Sequence, residues 1–391
     1  LTRKAYRAAI LHSIADPAEV GIEASYEYFE DGLLVIDNGQ ISALGHASDL
    51  LPTLPADIDI THYQDALITP GLIDTHIHLP QTGMVGAYGE QLLDWLNTYT
   101  FPCESQFADK AHAEEVADIF IKELLRNGTT TALVFGSVHP QSVNSFFEAA
   151  EKLDLRMIAG KVMMDRNAPD YLTDTAESGY QESKALIERW HGKGRLHYAV
   201  TPRFAPTSTP EQLTLAGQLL GEYPDLYMQT HISENLQEVE WVKELFPERK
   251  GYLDVYDHYK LLGERSVFAH GVHLCDDECA RLAQTGSAVA FCPTSNFFLG
   301  SGLFNLPMAE KHKLNVGLGT DVGGGTSFSL LQTLNEAYKV MQLQGARLSP
   351  FKSLYLATLG GARALRLEDK IGTLQPGTDA DFLVLDYNAT P

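Results

Sequence analysis

Two rhythms of apolar and polar residues divide this chain. Toward both ends the apolar residues come in short β-like runs broken by turn residues. Gly32-Leu33-Leu34-Val35-Ile36 and Gln40-Ile41-Ser42-Ala43-Leu44 are joined through Asp37-Asn38-Gly39, a strong signal for a tight hairpin. Near the other end, Ile371-Gly372-Thr373-Leu374-Gln375-Pro376-Gly377 leads through Thr378-Asp379-Ala380-Asp381 into the apolar run Phe382-Leu383-Val384-Leu385. Two β-rich ends around a different middle predict one small β-sandwich domain assembled from residues 1–68 and 364–391.

Residues 69–363 alternate apolar runs with helical segments, the pattern of βαβ units on a parallel sheet and hence of an α/β domain. Candidate strands fall at 73–78, 129–135, 157–164, 197–203, 226–231, 267–270, 288–292 and 316–320. Eight such units close a barrel. No Gly-x-Gly-x-x-Gly turn follows the first strand, which favours a (β/α)8 barrel of the TIM type over an open doubly wound sheet. One helix start is legible at Thr209-Pro210-Glu211-Gln212, where Thr209 can cap, Pro210 suits the first helical position and Gln212 can reach back.

At 391 residues the chain exceeds the roughly 250 that such a barrel takes, which leaves room for the second domain. A formal net charge of −22 argues against nucleic acid or an anionic membrane as partner, because both need a basic surface. The cysteines (Cys103, Cys275, Cys279 and Cys292) form no structural zinc pattern, and reduced thiols in a cytoplasmic protein are expected. Neither a membrane span nor a charged-then-apolar leader is predicted.

The candidate chemistry begins at Pro70-Gly71-Leu72-Ile73-Asp74-Thr75-His76-Ile77-His78. On a strand, residues i and i+2 project to one face, so His76 and His78 would aim two imidazoles at one point. An isolated pair of this kind is more often structural. Further candidates, however, stand at other predicted strand ends: Arg203 and Phe204 at the fourth, His231 at the fifth with Glu234 just beyond, His270 at the sixth, and Asp321 at the eighth. Barrels carry their chemistry at the C-terminal strand ends. Convergence of His76, His78, His231, His270 and Asp321 on that rim predicts a metal site, with donors that suit zinc and iron alike.

The opening motif, Cys292-Pro293-Thr294-Ser295-Asn296 and Gly319-Thr320-Asp321 resemble the aminohydrolase branch of the amidohydrolase superfamily. Further segments look like its guanine-acting members: His78-Leu79-Pro80-Gln81, Tyr88-Gly89-Glu90-Gln91-Leu92-Leu93-Asp94-Trp95-Leu96, Thr100-Phe101-Pro102 and Thr201-Pro202-Arg203-Phe204-Ala205-Pro206. So do His231-Ile232-Ser233-Glu234-Asn235 and Ser295-Asn296 through Gly300-Ser301-Gly302-Leu303-Phe304. The resemblance covers nearly the whole chain.

The resemblance implies one zinc ion per subunit, held by His76, His78, His231 and Asp321, in a cytoplasmic homodimer of purine catabolism. It implies hydrolytic deamination of guanine to xanthine and ammonia by a metal-activated hydroxide. Asp321 would take the water's proton, His270 would orient and polarise the nucleophile or ligate the metal itself, and Glu234 would shuttle a proton to the ring. Gln81 and Arg203 would read the polar edge of the purine beside His78 and His231, and Phe204 would pack on the ring face. Residues 83–104 would form a lid anchored by Trp95 and Phe101.

Bland readings stand beside these. Glu234 is also the carboxylate that a helix N-terminus favours, and Arg203 a plausible salt-bridge partner in an acidic protein. Lys161 lies early in the third strand segment and the fourth has no Lys, which favours one metal over a lysine-bridged pair. The run Gly323-Gly324-Gly325-Thr326-Ser327 lacks the Lys of a phosphate-binding loop and predicts a tight loop beside Asp321. The competing functions are deamination of another aminated ring (a cytosine, a triazine or an adenosine derivative) and a catalytically silent barrel scaffold.

Overall fold

The computed structural model describes residues 3–89 and 91–388. Glu90, part of the lid motif, and the outermost residues of the small domain lie outside them. The chain divides into two compact units, one of Leu1–Ile73 with Leu348–Pro391 and one of Asp74–Arg347.

In the first unit, strands β1 (Arg3–Ser13), β2 (Tyr26–Asp37), β3 (Gln40–His46) and β4 (Asp59–Pro70) form a five-stranded sheet with the C-terminal strand Phe382–Asp386. The order runs from that C-terminal strand through β4, β1 and β2 to β3. Asn38 and Gly39 turn the predicted hairpin with φ of 52° and 81°, as a two-residue loop between twisted strands requires. Alternation along β2 sends Leu34 to one face with Ile10, Ile41 and Ile68, and Leu33 and Val35 to the other with Ala5 and Ala47. Both faces of the sheet are therefore covered.

The second unit is built on the barrel. The barrel strands are β5 (Leu72–His78), β6 (Thr129–Phe135), β7 (Arg156–Gly160), β8 (Val162–Met163), β9 (Leu196–Pro202), β10 (Tyr227–Ile232), β11 (Ser266–His270), β12 (Ala288–Phe291) and β13 (Asn315–Leu318). They neighbour one another in chain order from β5 to β13, with β8 paired beside β9. The third predicted strand is thus two pieces. The break falls at Lys161, whose amide donates to the Tyr198 hydroxyl (3.2 Å) and whose ammonium is drawn to Asp174 (2.8 Å).

Helices cover the strands with one apolar face each. Lys110–Arg126, capped by Asp109, buries Ala113, Ala117, Phe120, Ile121 and Leu124, the spacing of a 3.6-residue period. Thr209 caps the helix Pro210–Glu222 as expected, but the Gln212 side chain does not reach back to it. It bonds Ser208 (2.8 Å) and Asp174 (2.8 Å) instead, because a buried carboxylate and hydroxyl stand within its reach while the Thr209 amide is taken by Asp165.

The ring is completed between β13 and β5. The amide of Asp321 donates to the His76 carbonyl (2.9 Å), and Thr75 Oγ1 to the Leu318 carbonyl (3.0 Å). Buried Asp74 accepts from the amides of Thr320 (3.1 Å) and His76 (3.1 Å) and from the Thr320 hydroxyl. Burial pushes its carboxyl up to about 7, against these hydrogen bonds, which favour the charged form. The strands meet so closely that a Cβ on Gly317 would lie 2.4 Å from Thr75 Cγ2. Removing the Asp74 acceptor strands several buried donors at once, so Asp74→Ala should cost about 3 kcal/mol. Denaturant unfolding of the metal-free protein measures this, and an unchanged midpoint would show that closure does not rest on the carboxylate.

Candidate active site

The predicted residues do meet at the C-terminal rim. His76 and His78 stand on the same face of β5, His231 lies in β10, His270 ends β11 and Asp321 follows β13. His78 Nε2 lies 3.3 Å from His76 Nε2 and 3.2 Å from His231 Nε2. Asp321 Oδ1 lies 3.2 Å from both His76 Nε2 and His78 Nε2. His270 Nε2 faces Glu234 Oε2 at 3.4 Å and Asp321 Oδ2 at 3.8 Å, and is buried without a hydrogen-bond partner among the described residues. Ser233, His270 and Asp321 hold left-handed backbone at φ of 48°, 73° and 50°. For residues other than glycine this stores strain, which proteins tend to keep at functional sites.

Burial dominates the electrostatics. It lowers His76 to about 4, although Asp321 pulls the other way. It lowers His231 far below the ordinary value, and the neighbouring imidazoles add to the effect. Both rings are therefore neutral, and His231 donates Nδ1–H to the Arg203 carbonyl (2.7 Å), which turns its Nε2 lone pair toward the cluster. Burial would raise Asp321, but His76, His78 and His270 outweigh it and hold the carboxyl well below its usual range. Burial likewise acts to lower His270, yet Glu234, Asp321 and Asn296 together raise it. Glu234 is pushed up to about 7 by burial, with Asp321 adding to the rise and His270 opposing it. Neutral imidazole nitrogens and an ionised carboxylate that face one another this closely fit a divalent cation.

One cavity connects the cluster to the candidate substrate residues. It is lined by His78, His231, Glu234, His270 and Asp321 and also by Gln81, Trp95, Arg203 and Phe204. Leu92 and Leu96 of the lid segment line it too. That segment consists of helix Leu92–Trp95, the π-turn Leu96–Thr100 and helix Phe101–Ser105. Trp95 and Phe101 are buried in one apolar cluster with Phe135, Leu172 and Phe204. The loop after Asp321 is tight, as expected: the Gly325 amide returns to the Asp321 carbonyl. Lys161 is turned away into an ion pair with Asp174 and Glu182.

The amidohydrolase family model matches residues 67–391. The chain belongs to the amidohydrolase family. It is 57% identical to the guanine deaminase of Escherichia coli over 100% of this chain and 89% of that one. The solved structure of the Escherichia coli protein superposes with a TM-score of 0.97, covering 99% of this chain and 90% of that one. The guanine deaminase of C. acetobutylicum, solved with guanine bound in its active site, is 29% identical with a TM-score of 0.90, over 98% of this chain and 90% of that one.

Around the rim of this amidohydrolase stand partners that sequence reading did not assign. Asn296, noted only as part of a motif, accepts from His270 Nδ1 (2.9 Å) and so turns His270 Nε2 toward the carboxylates. Ser301 donates to Glu234 Oε1 (3.3 Å). Glu238 receives the amides of Glu234 (2.9 Å) and Asn235 (3.0 Å) and the Tyr252 hydroxyl (2.6 Å), which fixes the turn that carries Glu234. Glu104 binds both Gln81 and Arg203. A capping signal was legible for Glu238, three residues after Asn235, whereas the others depend on contacts distant in sequence. If Asp321 is a metal ligand, Asp321→Ala should purify with metal far below one ion per chain, and elemental analysis showing wild-type content would remove it from the set.

Proposed function

We propose that this chain hydrolyses guanine to xanthine and ammonia, using one zinc ion held by His76, His78, His231 and Asp321. The observation that carries the reading is one cavity that brings His78, His231, Asp321 and Glu234 together with Gln81 and Arg203. The similarity to guanine deaminases over nearly the whole chain supports the choice of ring. A zinc ion held by these residues would supply a hydroxide nucleophile, since such an ion lowers the pKa of a water from 15.7 to about 7.

The remaining work falls to side chains. Gln81 and Arg203 orient the purine by its polar edge, Phe204 and Trp95 give it apolar walls, and the lid residues keep bulk water out. Asp321 stays ionised and can accept the proton that the attacking water gives up. Glu234, with a pKa near 7, exists in both protonation states around neutrality, as a proton shuttle needs. It carries one of the water's protons to the ring nitrogen, and the other, taken up by Asp321, passes to the departing amino group, so that ammonia rather than an amide ion leaves. His270, oriented by Asn296, polarises the water from the side facing Glu234.

Glu234→Gln should keep its metal and lose about 10²- to 10⁴-fold in kcat; unchanged turnover would remove Glu234 from the shuttle. Arg203→Ala should raise KM for guanine more than it lowers kcat, and an unaltered KM would leave Arg203 a purely structural role. The direct test follows xanthine formation from guanine by its ultraviolet spectrum. Turnover that is abolished by chelation and restored by zinc is the expected result, and a fully metallated protein inert toward guanine would overturn the reading.

A further inference from the structure

Glu104 lies on the lid helix Phe101–Ser105 and is only 1% exposed. Its two carboxylate oxygens are divided between the two candidate edge-reading residues. Gln81 Nε2 donates to Oε1 (2.9 Å), and Arg203 Nη1 donates to Oε2 (2.8 Å). Phe101, one helical turn earlier, places its ring 5.5 Å from the same guanidinium. A carboxylate only accepts hydrogen bonds, so the amide nitrogen of Gln81 has to face it. The amide oxygen is thereby turned the other way, toward Gly323, where a Cβ would lie 1.8 Å from Gln81 Oε1. Gly323 itself has φ of 120°, so the loop beside this oxygen is built for glycine. Next to it, Gly324 lines the cavity together with Gln81.

We propose that Glu104 is a specificity-setting positioning residue: it fixes the Gln81 amide and the Arg203 guanidinium in one donor–acceptor order that matches the oxo edge of guanine. This inference rests on the guanine-hydrolysing reading given above. With Glu104 in place, Gln81 offers an acceptor to the ring N–H while Arg203 offers donors to the neighbouring oxygen. A ring that carries a bare nitrogen where guanine has N1–H meets two acceptors face to face, and the amide cannot turn over to relieve them. Fixed hydrogen-bonding sites discriminate strongly for this reason.

The test compares kcat/KM for guanine and for 2-aminopurine, which has the same leaving amino group but no oxygen at C6 and no proton on N1. In Glu104→Gln the amide of Gln81 faces another amide and can adopt either orientation. The guanine to 2-aminopurine ratio should then fall about 10- to 100-fold, with KM for guanine changing more than kcat. If Glu104 plays no part in orienting Gln81 and Arg203, both substrates keep or lose activity together and the ratio stays put, which overturns the proposal. Should Glu104→Gln fail to accumulate as folded protein, Glu104→Asp decides, because it keeps the charge but withdraws the carboxylate by one methylene. A folded Asp variant with the wild-type ratio overturns the proposal, and one with a ratio at least about tenfold lower supports it. Wild-type protein that releases no ammonia from guanine overturns the functional reading and this inference with it; wild-type turnover with an unchanged ratio in the variants overturns this inference alone.

Discussion

A single backbone hydrogen bond, from the Asp321 amide to the His76 carbonyl at 2.9 Å, lies where the barrel closes and where its candidate chemistry begins. Closing a ring of parallel strands leaves its first and last members to find each other across the full length of the domain. Here Asp74, Thr75, Thr320 and the bare backbone of Gly317 bring β5 and β13 together. The same contact sets Asp321 Oδ1 at 3.2 Å from two histidine nitrogens. Barrel closure and the candidate site share the same residues.

Gathering four imidazoles and two carboxylates in a buried cluster is unfavourable in isolation, since burial penalises every charge. The arrangement limits that penalty by dividing protonation states. His76 and His231 are pushed neutral, Asp321 is held ionised by the rings around it, and Glu234 is left near 7. The surrounding partners take up the remaining directions: the Arg203 carbonyl for His231, Asn296 for His270, Ser301 for Glu234. Left-handed backbone at Ser233, His270 and Asp321 turns the chain sharply just as each strand delivers its side chain.

Much of this was legible in the chain itself. The predicted strand 129–135 coincides with β6, and most of the others agree to within a residue or two, because a buried parallel strand is a near-continuous apolar run bounded by polar residues. Once the strands are known, the rule that polar residues at their C-terminal ends share a rim brings His76, His78, His231, His270 and Asp321 together. Local pattern failed where a nearby partner outcompeted it. Gln212 pairs with Ser208 and Asp174 rather than with its own cap, and Lys161, held by Tyr198 and Asp174, interrupts a strand that composition alone would continue.

The sequence by itself determined the strand and helix periods, the number of βα units and which candidate donors stand at strand ends, because each is written in residues close together along the chain. Tertiary structure alone decided which side chains hold those donors in place. Asp74 meets Thr320 across 246 residues and Arg203 meets Glu104 across 99. A carboxylate looks the same in a sequence whether it faces water or caps a buried guanidinium. Only closure of the barrel and packing of the segment 92–105 beside the cavity bury those groups, and so withdraw the alternative partners that would otherwise satisfy them.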